Sequence, residues 1–246
     1  MGAVELLLVR HGESEANVAA TEADRSRSDR VAVPARDADV VLSSRGREQA
    51  EAVGAYLADL RPDERPESLW VSPYRRAVQT GMLALEAGGI QLETRRDERL
   101  RDRELGILDA LTGRGVRRLH PTEAERRNWL GKFYYRPPGG ESWVDVALRV
   151  RFLLADLDRE EDGKRVLIVC HDAVIRVFRY VCERLDEETL MTIARTEPVP
   201  NGSLTRLVRP SGTGIWRAEA VNAVEHLRRE DAPVTEHRGD TDARTS

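Results

Sequence analysis

Three short apolar runs in this 246-residue chain each stop on residues able to do chemistry. "VELLLV" (4–9) runs into Arg10-His11-Gly12-Glu13, "SLWVSP" (68–73) is followed by Arg75-Arg76, and "RVLIVC" (165–170) runs into His171-Asp172. An imidazole is a nucleophile or proton carrier near neutral pH, and a guanidinium is a permanently charged planar fork that grips carboxylate or phosphate oxygens two at a time. One such residue at a strand end says little. Two histidines and a set of arginines at three equivalent strand ends point to a site, because ligands of open α/β sheets bind outside the carboxyl ends of the strands.

The elements that must position these residues can be read from periodicity. Each apolar run is followed by a polar cluster and then a helical pattern. "SSRGREQAEAVGAYLADL" sets Ala50, Val53, Leu57 and Leu60 at helical spacing behind a serine cap, and "YRRAVQTGMLALEA" repeats the idea. "SWVDVALRVRFLLADLDRE" (142–160) is a long amphipathic helix with Val146, Val150, Leu153 and Leu157 on one face. Strands alternating with helices, joined by right-handed crossovers, predict an α/β three-layer sandwich: a mostly parallel central sheet with helices on both faces. "QLETRR" reads as a peripheral strand, and "SLTRLVR" with "GIWRAEAVN" as an antiparallel edge hairpin. One domain is expected over residues 1–227, interrupted by charged, weakly periodic insertions at about 18–40 and 103–140 that read as functional loops or lids. The stretch 228–246 has almost no apolar residues and is expected to be a disordered tail.

Composition narrows the function. Hydrophobic residues make up 40% and charged ones 33%, as in a soluble globular protein. The net charge of −4 argues against a nucleic-acid partner, and no apolar run approaches the roughly 18 residues that would span a bilayer. "MGAVELLLVR" has an acid in its apolar run, no basic leader and no cleavage site, so the cytoplasm is the expected location. Cys170 and Cys182 sit in apolar surroundings without metal-ligand spacing and read as core thiols, which indicates neither a disulfide framework nor a zinc site. With two lysines, Lys132 and Lys164, among 39 basic residues, arginine is ordinary surface charge here and qualifies for a site through its spacing alone.

"RHGESEAN" (10–17), "DVVLSSRGREQA" (39–50), "SPYRRAVQT" (72–80), "PGGES" (138–142) and "IVCHDAVIR" (168–176) occur in this order. Together they resemble the histidine phosphatase superfamily, in its phosphoglycerate mutase-like branch. The resemblance implies a metal-independent, cofactor-free phosphomonoesterase acting on a small phosphorylated metabolite. His11 would be the nucleophile that becomes a phosphohistidine, and Arg10 and Arg76 would hold the phosphate. The family's arginine stands directly before alanine, which selects Arg76 and leaves Arg75 as an outward charge. His171 would bind the transferred phosphoryl group and, if protonated there, add positive charge. Asn17 would contact phosphate or substrate, with an Asx cap on a following turn as its other reading. Two carboxylates compete for the general acid. Asp102 in "LRDRELG" occupies the place of the mutase-like branch's glutamate and is preferred, while Asp172 stands where the acid-phosphatase branch keeps its acid. The roles of Glu13 and Ser14 stay open.

Two other functions compete, a cofactor-dependent phosphoglycerate mutase and a catalytically silent phosphate-binding member. Cofactor-dependent mutases carry a Trp-Arg-Arg at the similar place, and here Trp129-Leu130-Gly131 departs from it, with Arg126, Arg127 and Lys132 as the compensating cations. Trp129, Phe133, Tyr134 and Tyr135 read either as an aromatic wall over the substrate or as packing under a loop. The sequence leaves a homodimer open.

Overall fold

The computed structural model describes residues 1–33 and 36–237. Strand β1 (Glu5–Arg10) is buried along its whole length and splits its side chains between two cores. Leu6 and Leu8 enter one core with Val150, Leu153 and Phe178, and Leu7 and Val9 enter the other with Val53, Leu57 and Ala77. A strand apolar on both faces belongs in the middle layer of three. Helices α1 (Glu15–Arg25) and α2 (Ser44–Asp59) follow, then β2 (Ser68–Val71), α3 (Arg75–Ala87) and β3 (Glu93–Arg96). Next come α4 (Gly113–Leu119), α5 (Pro121–Leu130), α6 (Trp143–Glu160), β4 (Arg165–Cys170), α7 (Asp172–Cys182) and α8 (Glu187–Thr196). The described chain closes with β5 (Leu204–Val208), β6 (Arg217–Ala223) and α9 (Glu225–Arg229).

The sheet order is β3-β2-β4-β1-β5-β6, with β1, β2, β3 and β4 parallel and the hairpin β5-β6 antiparallel at one edge. This is the expected three-layer α/β arrangement. Register decides what the sheet presents at its carboxyl edge. Arg10 pairs with Cys170 and Val71 with Val169, so His11, Ser72 and His171 leave the sheet side by side. The backbone N–H groups of His11 and Ser72 still bond to Cys170 O and Val169 O, which fixes the two departures against β4.

Local signals start the flanking helices. Ser14 and Asn17 form a reciprocal capping box on α1, Ser142 and Asp145 form one on α6, and Ser43 caps α2 through Gly46 N. The first insertion is more ordered than a loop. Residues 18–25 continue α1 because the cap at Ser14 nucleates it, and Ala23 is buried on the inner side. The second insertion folds α4 and α5 around a small cluster of Leu108, Val116 and Tyr135. The two insertions also join each other, as Thr112 donates to Ser28 O at 2.7 Å and Arg114 and Arg118 both grip Asp29.

The expectation of a tail without structure from 228 onward differs from what residues 228–237 do. Gln49 and Asn201, both fully buried, need hydrogen-bond partners, and this segment supplies them. Gln49 donates to Pro233 O at 2.7 Å and to Thr235 Oγ1, and Asn201 N donates to Thr235 O. Composition weighs apolar burial and has no signal for polar groups that a segment satisfies elsewhere. Residues 238–246 of the expected tail lie outside the described residues. Cys170 and Cys182 are buried and free, and no helix among the described residues is long and apolar enough to cross a membrane.

A close backbone contact locks the loop after β1 onto α2. A Cβ on Gly46 would lie 2.0 Å from Glu13 O, and one on Gly12 would lie 2.3 Å from Gly46 O. Backbone cannot yield there as a flexible side chain would. Gly46→Ala is therefore expected to destabilise the fold by about 2 kcal/mol, the order of an overpacked contact. An unchanged denaturant midpoint would contradict this account.

Candidate active site

His11 is the first residue past β1 and is 3% exposed. Its Nδ1 lies 2.7 Å from Gly12 O, an atom that can accept and never donate, so the ring proton is assigned to Nδ1. The lone pair is then on Nε2, where Arg76 Nε donates to it at 3.2 Å. His171, past the end of β4, is completely buried with its ring centroid 5.1 Å from that of His11. Ser72 Oγ accepts from Tyr74 N and lies 2.8 Å from His171 Nε2. With the hydroxyl donating to Nε2, the proton of His171 is on Nδ1. That nitrogen lies 3.4 Å from Asp102 Oδ2 and has no hydrogen-bond partner among the described residues.

Arg10 ends β1 and Arg76 lies in the first turn of α3, both nearly fully buried. Arg10 donates to Val199 O and His237 O, and its Nε is left over. Arg76 uses all five donors. Nε goes to His11, the NH1 pair to Asp37 O and Oδ1, and the NH2 pair to Asp37 Oδ2 and Asp102 Oδ2 at 3.1 and 3.2 Å. Asp37 thus presents two oxygens to the fork as a phosphate would.

Asn17 belongs to the cap of α1 and also lines the cavity. Its Oδ1 accepts from Ser14 N, Ser14 Oγ and Asn201 Nδ2, so the capping function occupies the oxygen. The Nδ2 amide remains for the cavity that Asn17 lines. Asp102 and Asp172 line the same cavity, of about 240 Å³, together with Arg10, His11 and Arg76. His171 sits behind its wall. Asp102 Oδ1 accepts from Arg103 N, and Asp172 forms an ion pair at 2.8 Å with Arg176 one turn along α7.

Several site residues were not foreseen. Ser72 and Glu141 stood in quoted motifs without a role. Glu141 bonds Arg101, Arg149 and Glu104 N, and Arg149 also reaches Arg99 O and Asp102 O, so the "PGGES" segment and α6 brace the loop that carries Asp102. Asp37, Glu104, Asp109, Trp143 and His237 also line the cavity, four of them from the insertions and the start of α6 and His237 from the segment expected to be a tail. Glu13 ties Ser43 Oγ to His237 Nε2 at 2.7 and 2.9 Å, which makes it an anchor of α2 and of the chain end. Arg75 is exposed, as expected. The four aromatics part company: Trp129 is 85% and Tyr134 54% exposed, Phe133 packs on Tyr180, and none of these three lines the cavity, while Tyr135 is buried with Leu108 and Val116 and lines a second cavity beside it. Those positions lie on α5 and the turn after it, where helix phase sends Trp129 outward.

Burial, and then the neighbouring Arg76, His171 and Arg10 charges, hold the His11 pKa well below the ordinary 6.5. Burial, and then Arg76, Arg149 and Arg10, do the same to His171, so both rings are held in the neutral form. Burial also lowers His226, which bonds Gly202 O. The unfolded chain would take up protons near pH 6.5 on three imidazoles that the folded chain keeps neutral, so stability should be lost as pH falls below about 6.5. NMR titration of the ring C–H resonances should place the His11 and His171 midpoints below 6.5. A midpoint at or above that value would contradict the assignment.

Residues 6–223 match the model of the histidine phosphatase superfamily (branch 1). The chain is 30% identical over 238 residues to 6-phosphofructo-2-kinase/fructose-2,6-bisphosphatase 3 of Rattus norvegicus, covering 90% of this chain and 37% of that protein. It spans little more than a third of the length of the curated relatives it matches. A solved mycobacterial glucosyl-3-phosphoglycerate phosphatase superposes with a TM-score of 0.69 at 28% identity, over 89% of this chain and 99% of that one. The α-ribazole phosphatase of Shigella flexneri shares the fold with a TM-score of 0.69 at 22% identity, over 89% and 97% of the two chains. The family match across nearly the whole sheet, with both histidines at the carboxyl edge that register brings together, establishes that the chain belongs to the histidine phosphatase superfamily, branch 1.

Proposed function

We propose that the chain is a metal-independent phosphomonoesterase that works through a phosphohistidine on His11 and acts on a small phosphorylated metabolite. One observation carries this reading. Among the described residues, buried side-chain nitrogens without hydrogen-bond partners cluster at the cavity: Arg10 Nε, Trp143 Nε1, Arg176 Nε and, behind the wall, His171 Nδ1. Each such group costs about 1–3 kcal/mol while unsatisfied, and an oxyanion would recover that cost. The names of two relatives, fructose-2,6-bisphosphatase and glucosyl-3-phosphoglycerate phosphatase, are those of enzymes for small phosphate esters.

In the proposed cycle the ester's phosphate replaces the Asp37 carboxylate on the Arg76 fork and takes the free donors of Arg10, His171 and Asn17. The His11 Nε2 lone pair forms a bond to phosphorus as the ester P–O bond breaks, and its electrons leave with the alcohol oxygen. Asp102 supplies the proton to that oxygen. Water then attacks phosphorus, gives its proton back to Asp102, and the N–P electrons return to Nε2. His171 and the arginines hold the equatorial oxygens throughout. Asp102 is favoured over Asp172 because its Oδ2 lies against both Arg76 and His171, whereas Asp172 is paired with Arg176 on its own helix and is assigned to the shape of the pocket. The reading places the protein in the cytoplasm, in keeping with two buried cysteines that remain unpaired.

His11→Ala should abolish both turnover and acid-labile phosphoenzyme in chelator-treated buffer. Label trapped on the variant would remove His11 from the role. Asp102→Asn should slow hydrolysis of alkyl phosphates by roughly 10² to 10⁴, with far less effect on an activated aryl phosphate whose anion leaves unaided. Asp172→Asn should slow both substrates alike. The reverse pattern would transfer the acid to Asp172.

A further inference from the structure

Residues 10–13 carry the proposed nucleophile, and Arg10, His11 and Glu13 are all tied to one distant segment, residues 233–237. Arg10 Nη2 donates to His237 O at 3.2 Å. The Glu13 carboxylate meets His237 Nε2 at 2.9 Å. Glu13 N donates to Gln49 Oε1, and the Gln49 amide donates in turn to Pro233 O and Thr235 Oγ1. The carbonyl of His11 accepts from Asn201 Nδ2 at 3.1 Å. Asn201 holds Thr235 twice, through its N–H to Thr235 O at 3.0 Å and through Oδ1, which accepts from Thr235 Oγ1. His237 Nδ1 lies 2.7 Å from Thr21 Oγ1, one turn of α1 beyond Asn17, and His237 lines the same cavity as His11 and Arg76.

The consequence for Arg10 is mechanical. Val199 O takes Nη1 and His237 O takes Nη2, while Nε has no partner among the described residues. With both terminal nitrogens held, the plane of the guanidinium is set and Nε is the donor left for an anion. Without His237 O, part of that ordering would fall due when the anion arrives and would weaken its binding. The segment is itself held mainly by hydrogen bonds. Ala232, packed with Ala52, Val224 and Leu227, is the buried apolar residue before it, and Val234 is 40% exposed. Hydrogen bonds have modest net strength, so residues 233–237 can open locally while the sheet stays folded.

We propose that residues 233–237 belong to the phosphate site. Thr235 and His237 are positioning residues that keep Arg10 and the backbone of His11 in place, and docking of their segment is coupled to phosphate binding. The inference rests on the reading of this cavity as a phosphate site and adds a control element to it. Coupling between two equilibria is reciprocal. The docked segment raises the affinity for phosphate, and bound phosphate holds the segment down by the same factor.

The probe is inorganic phosphate, bound to the full-length chain and followed by calorimetry, so the reading needs no turnover. Thr235→Val removes the hydroxyl that Gln49 and Asn201 share, and His237→Ala removes the links to Glu13 and Thr21. The double variant, folded by circular dichroism, should bind phosphate about tenfold more weakly, equivalent to about 1.4 kcal/mol. Thr235→Ser and His237→Gln restore the hydroxyl and a donor towards Glu13, and each should recover most of the affinity lost in Thr235→Val and His237→Ala. In the native protein, saturating phosphate should slow hydrogen exchange of the Asn201 amide by about the same tenfold, because its bond to Thr235 O opens with the segment. That measurement uses no variant and decides the matter even where a variant fails to fold. Native phosphate affinity in the folded double variant overturns the inference. So does an Asn201 amide whose exchange phosphate leaves unchanged. A loss of kcat in His237→Ala with Thr235→Val unaffected also overturns it, since His237 would then act on the substrate directly. A native protein that binds phosphate with this coupling but turns over no ester removes the phosphatase reading alone, whereas turnover without the coupling removes this inference alone.

Discussion

The guanidinium of Arg76 is the constraint on which the site depends. It is nearly fully buried, and a buried cation with unpaired donors is costly, so each of its five N–H groups is met. Its partners come from three segments far apart in sequence: the loop after β1, the turn at 37–39 and the loop at 102. One side chain thereby joins the nucleophile candidate, the first insertion and the acid candidate to α3. In the same geometry Asp37 meets the fork with its carboxylate.

The second consequence of burial concerns the histidines. Two imidazoles packed 5.1 Å apart among Arg10, Arg76 and Arg149 cannot carry their own charge cheaply. They stay neutral, which is the form a nucleophile needs. Carbonyl and hydroxyl neighbours then choose which nitrogen holds the proton. Gly12 O does this for His11 and Ser72 for His171.

Around this centre the frame and the cover divide the work. The sheet fixes His11, Ser72 and His171 to within one register step of each other, and α6 steadies the Asp102 loop through Arg149 and Glu141. The insertions share few contacts with the sheet and instead brace one another through Asp29 and Thr112. The chain end closes the far side, where His237 meets Glu13 and its carbonyl accepts from Arg10.

What the sequence determined by itself is the part that local pattern encodes. Apolar runs with two buried faces dictate the middle layer, a serine cap dictates where α2 begins, and strand ends dictate that Arg10, His11 and His171 share an edge. The ordered motifs placed Arg76, Asp102 and Asn17 in the same neighbourhood. Tertiary structure decided the rest, because the deciding contacts join residues with no sequence relation. Asp37 reaches Arg76 across 39 positions, and Arg149 reaches Asp102 across 47. The ordered run to 237 follows from the hydrogen-bond needs of Gln49 and Asn201, which a composition scan of the tail cannot contain. The cavity between the insertions follows from how two separate segments pack. Local periodicity fixes which face of an element is apolar. What that face meets is settled when distant segments compete to cover it.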